Sequence, residues 1–357
     1  MALKATLTHL PELYARFPRV SIIGVGDQGS DVVSHIFEDG GSGAQCIAVN
    51  NDSTCLEHIF SHERVLIEGN AAHEYGVTND NTDGQEMIQE CTSRITPLLT
   101  GADVAFIIVG TADANELNMA TATASIAQRI GAVTVGMAMI PSDSQRIDGP
   151  IVPHALTRML QSCHTLAIVD VERSARLSEY PGVFDVDSAN QLVIDTVSGL
   201  SQALSCPSTV NIELPAFREL MMHGGIAHVG IAHSTSALRV EEATIGALRG
   251  PLLYDNIARC RGALINVRGD PNLTSEEAER AAELIAERAG WNVPIVIGTL
   301  VDESWYGGCQ VSILLTGGVY PYIPGGYRRL PLDMEEMEPD GEEEGPISLE
   351  LDLDQLE

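Results

Sequence analysis

A chain of 357 residues has room for two domains that each bury most of their apolar surface, and 44% hydrophobic with only 4% aromatic residues describes globular cores built mainly of Ala, Val, Ile and Leu. Fifty acids against 20 bases leave a formal charge of −30, which excludes a nucleic-acid partner, because neutralising phosphates takes clustered Lys and Arg and Lys4 is the only lysine. No apolar run reaches the roughly 18 residues of a membrane span, residues 1–20 carry no export signal, and seven scattered cysteines without a CxxC pair read as reduced thiols.

The expectation is therefore a cytoplasmic protein with no metal centre, and its self-repulsion is best tolerated in a salt-rich, halophilic cytoplasm where screening is short-ranged. After an N-terminal extension (1–18), residues 19–24 read as a buried strand that runs into Gly24, Gly26 and Gly29 and then into an apolar-periodic helix through Val32, Val33 and Ile36. Strands follow at 45–50 and 104–110, then a helix at 119–130 and a strand at 132–139. Strands alternating with helices at this spacing imply a doubly wound, mostly parallel sheet in a nucleotide-binding-type domain (19–184).

Leu192, Val193, Val197, Leu200 and Leu204 share one face of a long central helix (185–205) that joins this domain to a smaller second α/β domain (206–320). There, Thr274 and Glu277 form a capping-box pattern ahead of a helix with Ala278, Ala281, Ile285 and Ala289 on one side, and Gly290 is placed to end it. Strands are expected at 262–267, 293–301 and 310–315. The remainder (321–357) is acidic with little to bury and reads as a disordered tail, closed by an alternation of Ile347, Leu349, Leu351 and Leu353 with polar residues. His223, His228 and His233 recur every five residues, a spacing that puts all three on one face of neither helix nor strand, so they are not read as metal ligands.

Gly24, Gly26 and Gly29 satisfy GxGxxG, and alone this admits three readings: a tight turn with close helix packing, a dinucleotide site in which Asp52 holds a ribose (an NAD-dependent oxidoreductase), or a mononucleotide site. The order of further segments resembles the FtsZ family, the prokaryotic relatives of tubulin. Gly24-Val-Gly-Asp-Gln-Gly-Ser-Asp31 is similar to the family's first nucleotide loop, Ile47-Ala-Val-Asn-Asn-Asp52 to its second, and Gly131-Ala-Val-Thr-Val-Gly136 to the strand after its signature helix. Pro251-Leu-Leu-Tyr-Asp255, Arg261-Gly-Ala-Leu-Ile-Asn266, Gly269-Asp-Pro-Asn-Leu273 and Ile297-Gly-Thr-Leu-Val-Asp-Glu303 then follow in the family's order.

The resemblance implies GTP as the possible ligand, with Gly24, Gly26, Gly29, Asn50 and Asp52 near phosphates and ribose, Arg146 near the ribose, and Phe184 and Asn190 at the base; Val171 stands where the family usually has a base-contacting Asn. It departs from the family at the hallmark. The glycine- and threonine-rich phosphate loop falls on Ala112-Asp-Ala-Asn-Glu-Leu-Asn118, which keeps neither residue type and sets Asp113 and Glu116 where phosphates would lie; the local alternative for Asp113 and Asn115 is helix capping. The family's second catalytic loop, supplied by a neighbouring subunit, resembles residues 211–217, where Glu213 keeps one acid and Ala216 replaces the water-polarising one. The expectation is an FtsZ-like cytoskeletal or cell-division assembly protein with no catalytic residue and no required cofactor. Its partners would be itself or a genuine FtsZ, and an adaptor at 346–357. A GTP-binding, polymerising GTPase is the alternative.

Overall fold

The computed structural model describes residues 17–40, 43–68, 82–140, 151–171, 188–222, 224–249 and 260–318. In chain order these form β1 (Val20–Val25), α1 (Gly26–Glu38), β2 (Gln45–Asn50), α2 (Ser53–Glu57), β3 (Glu63–Leu66), α3 (Thr82–Leu99), β4 (Val104–Gly110), α4 (Ala114–Arg129), β5 (Val133–Ile140), α5 (Ile151–Ser162) and β6 (Thr165–Asp170). The central helix α6 (Ser188–Ser205) follows, then α7 (Leu214–Met222), β7 (Gly225–Ser234), α8 (Arg239–Arg249), β8 (Gly262–Gly269), α9 (Ser275–Ala289), β9 (Ile295–Val301) and β10 (Cys309–Gly318).

The strands of the described residues make one sheet in the order β3-β2-β1-β4-β5-β6-β7-β10-β8-β9. From β3 to β6 every pair is parallel, as expected of strands separated by helical crossovers. The second half is mixed: β7 joins β6 in parallel over only Thr165↔Gly225 to Ala167↔Ala227, β10 lies antiparallel to both β7 and β8, and β9 pairs parallel with β8. The two halves expected as separate domains are thus hydrogen-bonded into a single sheet, with the short β6–β7 ladder as the seam.

Alternate residues of the parallel strands face opposite ways and fill two cores. Ile22, Phe106 and Val135 meet α1, α6 and α7 on one face, where Phe106 and Phe217 have ring centroids 6.5 Å apart. Ile23, Ile107 and Val109 meet α3, α4 and α5 on the other. All five apolar positions read from the sequence of α6 are buried in the first core, which also takes in Val229, Leu264 and Leu314 of the second half, so one helix face serves both halves. A third core packs α8 and α9 on Ala263, Ile265, Val311 and Ile313.

Two boundaries differ from expectation for clear reasons. The strand expected from 293 begins at Ile295, since Pro294 has no N–H for the ladder. The helix expected from 119 begins five residues earlier, at Ala114, with Asp113 as its N-cap. Stripped of glycine, the stretch Ala-Asp-Ala-Asn-Glu-Leu consists of a strong cap followed by fair to good helix formers, and it folds as the first helical turn rather than as a loop.

Candidate functional site

β1 passes into α1 without a linker. Gly26 opens the helix at φ +74°, a conformation that excludes ordinary side chains, and a Cβ on Gly24 would lie 2.0 Å from the Gly29 carbonyl oxygen. The glycines of the GxGxxG pattern therefore serve the tight turn and the close seating of α1. Val25 stands at the N-cap and makes no side-chain cap, so the first N–H groups of α1 need acceptors from elsewhere.

One acceptor comes from α4. The Asp27 N–H donates to Glu116 Oε1 at 3.0 Å, and the carboxylate rests on the bare face of Gly26. Asp113 caps α4 itself, accepting from the N–H groups of Asn115 (2.6 Å) and Glu116 (3.4 Å). Half-buried Glu116 is pushed up to about 7 by loss of solvent, the Asp27 N–H opposing this and the neighbouring Asp27 and Asp113 adding to it.

Around this contact, the Asn50 amide donates to Asp27 Oδ1 (2.9 Å) while its oxygen accepts the Asp52 N–H (2.9 Å). Asp52 caps α2 through the Thr54 N–H (2.8 Å), and its bonds to Thr54, the side-chain one foremost, hold its carboxyl below the usual range. The carboxylate that a dinucleotide site would turn to a ribose is thus committed to a local helix end. Asn190 on α6 accepts from Gln28 (3.0 Å) and donates to Asp31 (3.4 Å), pinning the central helix to α1. Burial foremost, with the Asp27 hydrogen bond second, pushes the Cys55 thiol up to about 11.

Gly24, Gly26, Gly29, Asn50, Asp52 and Asn190 thus converge on the carboxyl ends of β1 and β2 and the start of α1. Arg146 and Phe184 lie outside the described residues, and half-buried Val171 packs against the first core. Sequence reasoning gave no role to Asp27 or Gln28, although an acid in the first turn of an uncapped helix was a legible sign.

Glu213 and Ala216 are not brought to this site. Glu213 precedes α7 and Ala216 lies in its first turn, and Arg218 of this helix donates to the Gly131 carbonyl oxygen (3.2 Å) just ahead of β5, at the amino ends of the parallel strands. Glu213 is exposed and its backbone carbonyl accepts the Phe217 N–H (2.9 Å). His228 and His233 lie on β7 with opposite facing, His233 edge-on to Trp305, and His223 is outside the described residues. Among the described residues no His, Cys, Asp and Glu side chains gather in a metal-binding group, and no helix is long and apolar enough to cross a membrane.

Comparison with known proteins bears on the family and the fold. Residues 19–177 match the model of the Tubulin/FtsZ family GTPase domain, and residues 225–319 match that of the FtsZ family C-terminal domain. The chain is 27% identical over 335 residues to cell division protein FtsZ 1 of Pyrococcus abyssi, covering 93% of this chain and 88% of the relative. It is 26% identical to cell division protein FtsZ 2 of Halobacterium salinarum, covering 84% of this chain and 77% of that protein. A solved structure, the empty FtsZ dimer of M. jannaschii, superimposes with a TM-score of 0.76 at 26% identity, over 86% of this chain and 90% of the other. In fold, in the order of its sequence segments and in both family-model matches, the chain belongs to the FtsZ/tubulin superfamily, as a cytoskeletal or cell-division type of protein.

Proposed function

We propose that this chain is a cytoplasmic, FtsZ-like assembly subunit that neither binds GTP tightly nor hydrolyses it. The observation that carries the reading is the Glu116 carboxylate seated on the Asp27 N–H, the donor that a phosphate at the glycine turn would need. Asp27, Asp113 and Glu116 set three acids around that position. At about 4 Å each pair of like charges costs roughly 1 kcal/mol in water and about 4 kcal/mol near a protein surface, so the residues present do not fit a triphosphate. Turnover is opposed separately, because Ala216 offers neither a proton acceptor nor a ligand for water.

The partners that suit the reading are further copies of the chain or a genuine FtsZ, in keeping with the dimer formed by the M. jannaschii relative. Residues 346–357, outside the described residues, would add a strand to an adaptor's sheet edge through their alternating Ile and Leu. Deleting that segment should remove a pull-down partner, and unchanged partners and cellular position would reject the docking idea.

The central test is calorimetric titration with GTP, together with phosphate release, in molar salt with magnesium over a range of protein concentrations. The expected result is no turnover and no binding tighter than about millimolar, or roughly 4 kcal/mol. Micromolar binding, or phosphate release that rises with protein concentration, overturns the proposal.

A further inference from the structure

An N-cap followed three residues later by Glu usually closes a local capping box, in which the Glu reaches back to the N-cap N–H. Asp113 and Glu116 have that sequence at α4, yet Glu116 reaches the Asp27 N–H on another helix, 89 positions away in sequence. Three observations make this more than a chance contact. α1 is a 13-residue helix with no side-chain cap of its own. Its first residue is a glycine at positive φ, and a Cβ there would fall 2.1 Å from Glu116 Cδ and 2.4 Å from Oε2, so the carboxylate fills the space that the glycine leaves. No cation among the described residues pairs with Glu116, and its neighbours are Asp27 on α1, Asp113 at the start of α4, and Cys55 of α2. The contact thus persists against repulsion, with the N–H as the group that favours it.

An anion is favoured at a bare helix start, and here the chain supplies its own. We propose that Glu116 is a built-in ligand of α1: its carboxylate occupies the anion position at the glycine turn, excludes a phosphate from it, and ties α4 to α1 whether or not any ligand is present. This inference rests on the reading of a subunit that works without GTP, and it names the device: one side chain organises a junction that a bound nucleotide would otherwise organise.

Three variants test it in molar salt, each checked for a native thermal transition. Glu116→Gln keeps the volume and an oxygen acceptor while losing the charge; Glu116→Ala loses charge and acceptor, and Glu116→Ser loses the charge and keeps a hydroxyl too short to reach the Asp27 N–H, guarding against a fold failure in Ala. Hydrogen exchange of the Asp27 amide in the ligand-free protein is read first. The wild type and Glu116→Gln should be protected, and Ala or Ser should exchange at least about tenfold faster, the size expected for losing one hydrogen bond to an acid. Calorimetry with inorganic pyrophosphate is read second. Ala or Ser should bind it at least about tenfold more tightly than either the wild type or Gln. An Asp27 amide that exchanges equally in all four proteins overturns the proposal. So does equal pyrophosphate affinity in Gln and Ala, which would reduce Glu116 to a repelling charge, or no gain in any variant. The exchange experiment contains no nucleotide, so its failure is distinct from failure of the non-hydrolysing reading, which the GTP titration decides.

Discussion

Two helices of this protein open with the same device and use it in opposite ways. At α9, Thr274 accepts the Glu277 N–H (3.2 Å) and Glu277 returns the bond by accepting the Thr274 N–H (3.0 Å). Glu277 is also gripped by Arg239, whose Nε and Nη2 donate at 2.9 and 3.1 Å, and that guanidinium holds its carboxyl below the ordinary range. At α4, Glu116 has only acids for charged neighbours among the described residues and is pushed up to about 7. A cap plus a glutamate thus marks where a helix begins, while the meaning of the glutamate is set by what the tertiary fold brings opposite it. Opposite a cation it is structural; opposite a bare helix end in an acidic pocket it acts as a ligand.

The largest effect should come from removing the cation. Arg239 also donates to Asp270 at 2.8 Å, and Asp270 is only 6% exposed, so Arg239→Met leaves a buried carboxylate without its partner. The expected loss is about 3–5 kcal/mol, read from urea unfolding in molar salt. Both acids are held below their usual range, so the stability they contribute is present above the ordinary carboxylate range and is lost as pH falls through their lowered values. The variant should lose that acid limb; a cost below about 1 kcal/mol would mean that Asp270 is satisfied by the N–H groups of Asn272 and Gly307 instead.

At α4 the sign reverses. Glu116 binds its proton more tightly in the folded chain than in the unfolded one, so its contribution to stability falls as pH rises from about 4.5 to about 7. Glu116→Gln, which keeps an acceptor for the Asp27 N–H, should therefore be more stable than the wild type at pH 8 by on the order of 2 kcal/mol, allowing for solvent screening, and no more stable below pH ~4.5. His35, raised by its hydrogen bond to the Asp31 carbonyl, and His164, lowered by burial, are common to both proteins, so they cancel in the difference. The gap should widen as salt falls from 1 M to 0.1 M and the screening length grows from about 3 to about 10 Å. A gap that ignores pH would show that the carboxyl does not titrate in this window.

The contrast also explains what could be read from sequence. The capping box at α9, its buried face and its glycine stop lie within one local window, and all were legible: Ala278, Ala281 and Ile285 are buried and Gly290 ends the helix at φ +106°. The α6 face was legible for the same reason. β7 was not, because Gly225-Ile-Ala-His-Val-Gly-Ile-Ala-His-Ser has glycines and buried His228 where an alternating strand would show bulky apolar groups. The Glu116–Asp27 contact joins residues 89 apart, beyond any periodicity, and reading the α4 start as a loop hid the helical turn that aims Glu116 at α1. Charge was legible where geometry was not: Asp113 and Glu116 oppose a phosphate by residue type alone, whatever their positions.

The smallest effect separates the two caps themselves. Thr274→Ala removes the acceptor for one N–H and should cost about 1 kcal/mol at any pH where Glu277 is ionised. Asp113→Ala removes a shorter cap bond, 2.6 Å to the Asn115 N–H, but it also removes a carboxylate that crowds Glu116. At pH 8, with Glu116 charged, relief of that repulsion should offset part of the lost cap, leaving a cost of roughly half of that for Thr274→Ala. At pH 5 Glu116 holds its proton, the repulsion is gone, and the full cap penalty of about 1 kcal/mol should return. Paired urea titrations of both variants at the two pH values measure this directly. Equal costs for Asp113→Ala at pH 5 and pH 8 would mean that the two acids do not sense each other, and that burial alone raises Glu116.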